Sequence, residues 1–109
     1  MELLTATESM AALAQTTRLE AFRLLVRHEP AGLPAGDIAL HLDVPANTMS
    51  SHLAILSRAG LVTSQRHSRS IVYRANIGTL RALMLFLAKD CCGGRDDLCG
   101  PLIHDLSCC

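Results

Sequence analysis

The chain has 109 residues with ten basic and ten acidic side chains, so its formal net charge is zero, and half of its residues are hydrophobic. This length suits one compact domain, and no apolar run reaches the roughly 18 residues that a membrane-spanning helix needs. The first residues lack the basic stretch and apolar core of a secretory signal, so we expect a cytoplasmic protein with reduced thiols.

Apolar residues at helical spacing predict four helices before residue 60. Their expected spans are 5–14, 16–28, 34–42 and 47–59, with a short turn at 43–47. Thr16 or Thr17 is expected to cap the second helix, and Pro30 breaks the chain after it. Pro34 suits the first turn of the third helix, and Gly60 suits a left-handed C-cap after the fourth.

The second half of the chain predicts a hairpin and a last helix. The β-prone runs LVTSQR and SIVYRA flank a basic tip, and residues 77–90 form a helix that is apolar on more than one face. So short a chain has little core to cover that helix, although full burial within one subunit is an alternative. We therefore expect a homodimer interface at Leu80, Leu83, Met84 and Leu87. The fold class expected is mainly α with a small β-hairpin wing, a winged helix-turn-helix that dimerises through its terminal helices.

The charges are segregated along the chain. Residues 1–43 carry three Arg against six acids, residues 44–89 carry six basic residues and no acid, and residues 90–109 carry one Arg against four acids. An ordinary solvated surface mixes both signs, whereas an acid-free block is typical of a surface that faces a polyanion.

The fourth helix has one face suited to DNA. Met49, Leu53 and Leu56 share a narrow arc that must face the core, which leaves small polar groups and one Arg outside, and His52 lies at the boundary. Amide, guanidinium and hydroxyl groups read base edges or bind phosphates, and a basic hairpin tip suits phosphates or the minor groove. The predicted DNA-binding residues are Asn47, Thr48, Ser50, Ser51 and Arg58 in the helix, and Arg66, His67, Ser68, Arg69 and Ser70 in the wing. The chain has two Phe, one Tyr and no Trp. These are too few aromatic side chains to stack on the bases of a single strand, so double-stranded DNA is the favoured partner.

NTMSSHLAILSRAGLV at 47–62, followed by RHSRSIVYR, resembles the ArsR/SmtB family of metal-responsive repressors, as does TTRLEAFRLL at 16–25. The resemblance covers roughly residues 10–89. It implies a dimeric winged-helix repressor that leaves operator DNA when an inducer binds, with its recognition helix at 47–58 and its wing tip at 66–70. Two inducer sites of the family are missing, because the third helix holds no Cys and the last helix holds no His.

All five cysteines lie within the last 19 residues. Cys91, Cys92 and Cys99 are similar to the vicinal pair and downstream cysteine of arsenite-responsive members, which implies an As(III) site. Three thiolates suit a soft ion with a trigonal-pyramidal geometry, and Gly93-Gly94 with Pro101 predict a loop that closes around it. Cys108 and Cys109 are candidates for a secondary metal site. We therefore divide the chain into a DNA-binding and dimerisation domain at 1–90 and a cysteine-rich inducer-binding tail at 91–109.

The sequence thus predicts a repressor with no enzymatic activity and no required cofactor. Its partners are double-stranded operator DNA, a second copy of the chain and a trivalent arsenical, with no membrane partner. Arsenite is the expected inducer, with antimonite and methylarsenite as further candidates. An alternative is the same DNA-binding repressor sensing redox state, persulfide, Cd²⁺ or Pb²⁺ through the same cysteines. An arsenate reductase is disfavoured, because the acids at Asp90, Asp96 and Asp97 would repel arsenate.

Overall fold

The computed structural model describes residues 1–90 and 96–107 of the chain. Helices dominate these ranges and a small sheet completes them. The elements are α1 (Leu3–Leu13), α2 (Thr16–Arg27), β1 (Leu33–Pro34), α3 (Ala35–Leu42), α4 (Ala46–Arg58), β2 (Val62–His67), β3 (Ser70–Ala75), α5 (Ile77–Leu85) with a π-helical continuation (Phe86–Asp90), and α6 (Asp96–Ser107). None of the described helices is long and apolar enough to cross a membrane. The predicted fold class, a mainly helical winged helix-turn-helix, is confirmed.

The wing is a three-stranded antiparallel sheet in the order β1-β3-β2. The predicted hairpin is confirmed, and its ladder runs from the pair Val62 and Ala75 to the pair His67 and Ser70. His67 therefore ends β2, and the turn itself is only Ser68-Arg69, with Ser68 in the left-handed region at φ 58°. The sequence missed β1, because a strand of two residues carries no alternating pattern.

The core is built around one face of α4. Met49, Leu53 and Leu56 are fully buried, as predicted, and they belong to one cluster with Leu25 of α2 and Ile38 of α3. Burying each such side chain stabilises the fold by about 1.5–3 kcal/mol relative to leaving it in water. The rotation of α4 about its axis is therefore fixed by its apolar residues.

Two helix ends show how local hydrogen bonding sets the boundaries. The N-cap of α2 is Gln15, whose side-chain oxygen accepts from the Arg18 N–H at 2.8 Å, so the prediction of a Thr16 or Thr17 cap is wrong. A longer amide side chain reaches the free N–H three residues on, and both threonines lie in the first turn. Gly60 ends α4 as predicted, at φ 78°, and the Leu61 N–H bonds to the Leu56 carbonyl at 3.0 Å.

The helix-turn-helix connection is tighter than predicted. Asp43 ends α3 in the left-handed region at φ 54°, and α4 begins at Ala46, with Pro45 as its N-cap. The turn therefore comprises residues 43–45, and Asn47 lies inside the first turn of α4.

The C-terminal part differs most from the prediction. The expected single helix at 77–90 is α-helical only to Leu85 and then becomes π-helical. The loop expected between Gly93-Gly94 and Pro101 is also wrong over residues 96–101, which belong to α6, and Pro101 lies inside that helix. Pro101 had indicated the end of a loop, because an interior proline removes one backbone hydrogen bond of a helix, yet the helix continues through it. An acid at Asp97 in the first turn favours the helix dipole, and Leu102 and Leu106 lie one turn apart on its surface.

Glu29 and Arg74 join the end of α2 to the wing. The Arg74 guanidinium donates two hydrogen bonds to the Glu29 carboxylate, at 3.1 and 2.8 Å. These bonds lower the pKa of Glu29 from its ordinary value of 4.5 and raise that of Arg74. Next to this pair, Gly32 has φ 73°, and a Cβ there would collide with the Tyr73 carbonyl oxygen and the side chains of Arg74 and Val72. The wing and α2 therefore approach closely.

We predict that Glu29→Gln destabilises the protein at pH 7 and that the deficit closes in acid. A lowered folded-state pKa means that the stabilisation is fully present above about pH 4.5, the unfolded value, and is lost as the pH falls through the folded value. Urea unfolding from pH 7 to pH 3 measures this. Glu20→Gln, at an exposed acid of α2, is the matched control, and identical pH profiles for the two variants would contradict the prediction.

Candidate nucleic-acid interface

The outer face of α4 is polar, small and free of acids. Met49, Leu53 and Leu56 point into the core, so most of the intervening positions face solvent. The predicted DNA-contacting residues of this helix are all exposed: Asn47, Thr48, Ser50, Ser51 and Arg58. The Ser51 hydroxyl donates to the Asn47 carbonyl at 3.3 Å, which leaves its oxygen facing outward as an acceptor.

The N-terminus of α4 adds an electrostatic contribution to this face. Its cap, Pro45, makes no side-chain hydrogen bond to the first turn. The free N–H groups of a helix start carry a partial positive charge and bind phosphate oxygens well. Asn47 and Thr48 lie in this first turn, so they are placed where backbone and side-chain donors can act together.

The wing approaches α4 at one hollow of about 460 Å³. Ser50 of α4 lines it together with Arg69 and Ser70 of the wing. Its other walls are the start of α3 and the middle of β3: Pro34, Ala35, Gly36, Ile71 and Tyr73. Sequence reasoning missed these wall residues as part of the surface. Pro34 at the start of a helix was the available signal, but only the hairpin register brings that helix start beside the wing.

All five predicted wing residues are exposed, with Ser68 and Arg69 forming the turn. Arg66 lies one ladder position before the end of β2, opposite Ile71. Only the last pair of the ladder, His67 and Ser70, lies between Arg66 and the turn that contains Arg69. Both Arg side chains are therefore close to the wing tip, where the backbone of a DNA duplex would pass.

Three other Arg residues of the acid-free block lie apart from the hollow between Ser50 and the wing. Arg74 is held by Glu29, and Arg81 borders an apolar groove between α5 and α6. Arg58 lies about 12 Å along α4 from Ser50, at a rise of about 1.5 Å per residue. It lines a separate hollow with Glu8 of α1. The linear charge segregation thus overstates the continuous basic area, which is centred on the wing.

His52 takes the boundary position that its place in the helix predicts. The residue is half-buried, and its Nδ1 atom is buried with no hydrogen-bond partner in the described part of the chain. The Nδ1 side of this ring therefore faces the interior, in contrast to the exposed residues of the outer face of α4.

The predicted dimer residues divide into two groups. Leu83 is only 5% exposed and Leu80 packs against the core, so both are largely covered within their own chain. A helix that is apolar on two faces can bury one of them within its own chain, and Leu80 and Leu83 form that buried face. Met84 and Leu87 are each 40% exposed, beside the similarly exposed Leu85. The outward apolar face of this region is therefore Met84, Leu85 and Leu87.

The predicted As(III) site falls largely outside the described residues. Four of the cysteines lie outside the described residues: Cys91, Cys92, Cys108 and Cys109. The fifth, Cys99, is a residue of α6. Among the residues that are described, no group of three or more His, Cys, Asp or Glu could hold a metal ion. The three-thiol site therefore stays a prediction.

Comparison with known proteins identifies the module. A family model described as a helix-turn-helix domain matches residues 13–65. The transcriptional activator HlyU of Vibrio cholerae is 27% identical over 81 residues, which are 74% of this chain and 72% of that protein. An ArsR-like transcriptional regulator from Rhodococcus sp. RHA1 superposes with a TM-score of 0.72 at 28% identity, over 94% of this chain and 92% of that one. These findings support the ArsR/SmtB winged-helix family.

Two further structures extend this likeness. A homodimeric winged helix-turn-helix DNA-binding domain from Mycobacterium bovis, a possible ArsR-family transcriptional regulator, has a TM-score of 0.65 at 26% identity, over 74% of this chain and 73% of that one. A possible transcriptional regulator for arsenical resistance has a TM-score of 0.62 at 25% identity, over 90% of this chain and 95% of that one. The chain is thus similar to transcriptional regulators of the ArsR/HlyU type, and its helix-turn-helix and wing match theirs.

We predict that Arg69→Ala weakens binding to duplex DNA several-fold and reduces the slope of log affinity against log salt by about one, as expected for one lost phosphate contact. Fluorescence anisotropy on DNA from upstream of the gene measures both quantities. Arg23→Ala removes the same charge from the exposed surface of α2 and is the matched control. Equal affinities and slopes for the two variants would remove the wing tip from the interface.

Proposed function

We propose that this protein is a homodimeric transcriptional repressor that binds operator DNA and is released when trivalent arsenic binds Cys91, Cys92 and Cys99. The observation that supports DNA binding best is the shared hollow of Ser50, Arg69 and Ser70, which sets the polar face of α4 and the wing tip on one continuous surface. A protein that places a helix in the major groove and a wing along the DNA backbone needs both elements on the same surface.

The homodimer is supported by apolar surface that a lone chain leaves in water. Leu3 and Leu4 of α1 are 70% and 68% exposed, and Met84, Leu85 and Leu87 are each at least 40% exposed. Large apolar side chains that lie exposed at neighbouring positions of a helix are typical of interaction surfaces. The related domain from M. bovis is described as homodimeric. A two-fold dimer also matches two half-sites about one DNA turn apart.

The arsenical inducer is supported by chemistry and by resemblance. The soft thiolate ligands of Cys91, Cys92 and Cys99 suit As(III), and antimonite and methylarsenite share its preference for sulfur. One structural relative is named as a possible regulator for arsenical resistance. The helix that begins at Ile77 leads directly into Cys91, since its π-helical continuation ends at Asp90. An ion bound at these cysteines would therefore adjoin the helix that carries Met84 and Leu87.

We predict that Met84→Glu raises the dimer dissociation constant at least tenfold, because a carboxylate would have to be desolvated at the interface. Sedimentation equilibrium over a concentration series measures it. Leu40→Glu is the matched control, since Leu40 is 81% exposed on α3, away from this face. Equal dissociation constants for the two variants would place the interface elsewhere.

We predict that arsenite weakens binding of the reduced protein to its upstream promoter DNA at least tenfold and that Cys99→Ser largely abolishes this response. Anisotropy titration measures both. Cys109→Ser, the same exchange outside the proposed three-thiol set, is the matched control and should respond like the parent.

Each other outcome has a distinct meaning. Tight DNA binding that ignores arsenite would reassign the cysteines to redox, persulfide, Cd²⁺ or Pb²⁺ sensing. Loss of the response in Cys109→Ser, but not in Cys99→Ser, would overturn the ligand assignment. Absence of DNA binding by the parent would overturn the repressor itself.

A further inference from the structure

Two histidine rings meet where α2 and α3 end. His28 is the C-cap of α2 and is half-buried, and His41 lies exposed in the last turn of α3. Their ring centroids are 5.8 Å apart with an interplanar angle of 61°. Neither residue belongs to the proposed DNA surface, the apolar face of α5 or the cysteine tail.

The separation of these rings suits a shared metal ion. With a metal–nitrogen bond of about 2.0–2.1 Å, the centre of an imidazole ring lies about 3.2 Å from the ion. When two imidazole rings bind one ion, the distance between their ring centres depends on the nitrogen–metal–nitrogen angle. This distance is about 4.5 Å at 90°, about 5.2 Å at the tetrahedral angle and about 6.4 Å when the two rings lie on opposite sides of the ion. The observed 5.8 Å falls within this range. His41 is exposed, so its ring can turn toward the ion without disturbing the core.

The ring nitrogens are also available. In the described part of the chain, the interaction found for these two side chains is their contact with each other, and no hydrogen bond holds either ring in another orientation. The acid next to His28 in sequence, Glu29, is occupied by Arg74. A neutral imidazole with a free nitrogen is the commonest protein ligand for first-row transition metals.

We propose that His28 and His41 form a two-imidazole site for a divalent transition metal such as Ni²⁺ or Zn²⁺. Water completes the coordination, because no group of three or more ligating side chains occurs among the described residues. Imidazole ligands suit Ni²⁺, Cu²⁺ and Zn²⁺. The site is separate from the cysteine tail, and it does not depend on arsenic sensing or on DNA binding.

A metal ion at this site would join the end of α2 to the end of α3, the first helix of the helix-turn-helix. The Glu29–Arg74 ion pair already joins the residue after His28 to β3. Binding to the folded state alone raises stability by mass action. The expected consequence is a more stable helix-turn-helix when the metal is bound.

The test uses the full chain with its thiols blocked by iodoacetamide, so that the cysteines cannot compete for Ni²⁺. Isothermal titration with NiCl₂ should show one saturable site per chain. His28→Gln and His41→Gln should each weaken binding at least tenfold. His67→Gln, at an exposed histidine of the wing, is the matched control and should bind like the parent. Saturating Ni²⁺ should also raise the Tm of the parent and of the control, but not of the other two variants.

A second measurement keeps the test independent of how the variants fold. Paramagnetic Ni²⁺ should broaden the ring-proton NMR signals of His28 and His41 in the parent before those of the other three of its five histidines. Binding of equal strength in all variants, absence of a saturable site, or first broadening at other histidines would each overturn the proposal. Since DNA binding is not measured, failure of this site would leave the proposed repressor function intact.

Discussion

The burial of one face of α4 is the constraint on which the rest of the DNA surface depends. Met49, Leu53 and Leu56 must lie against α2 and α3, because exposing them would cost several kcal/mol in total. Neighbouring side chains on a helix point about 100° apart, so this burial turns the amide and hydroxyl groups between them outward. The core thus selects which residues of α4 are presented to a ligand, and the absence of acids there makes a polyanion the suitable ligand.

The position of the wing depends on a second set of contacts. Two residues of β1 pair with Val72 and Tyr73, and Gly32 permits this pairing because it has no Cβ to collide with β3. The ion pair between Glu29 and Arg74 then joins β3 to the end of α2. An exposed ion pair alone contributes little to stability, but here it acts together with backbone pairing. Arg74 is thereby engaged with Glu29, and Arg66 and Arg69 are the other cations of the wing.

Local signals in the sequence predicted the helix-turn-helix well. Apolar spacing gave the buried face of α4, Gly60 gave its end, and β-prone runs gave the hairpin. What could not be predicted depends on long-range placement. β1 exists because β3 is beside it, and Ser50 shares a hollow with Arg69 because of the hairpin register. The linear charge count could not show that Arg74 would meet Glu29, 45 positions away. The helix α6 was missed because Gly93-Gly94 and Pro101 are strong local break signals.

The two-sided character of α5 also has a consequence for regulation. Its inner face, with Leu80 and Leu83, is covered within the chain, and its outer face carries Met84, Leu85 and Leu87. This helix is held by the core on one side and faces the proposed second subunit on the other. A conformational change at its C-terminal end would therefore act directly on the proposed dimer interface. The π-helical continuation carries Leu87 and ends at Asp90, directly before Cys91 in the sequence, and π-helical turns are frequent at functional sites. Reversing a 99:1 preference for the DNA-bound dimer shape requires about 5.5 kcal/mol of differential inducer binding. In the proposed repressor, several thiolate–ion bonds formed in one dimer shape and strained in the other would supply this energy without any contact between the inducer and the DNA surface.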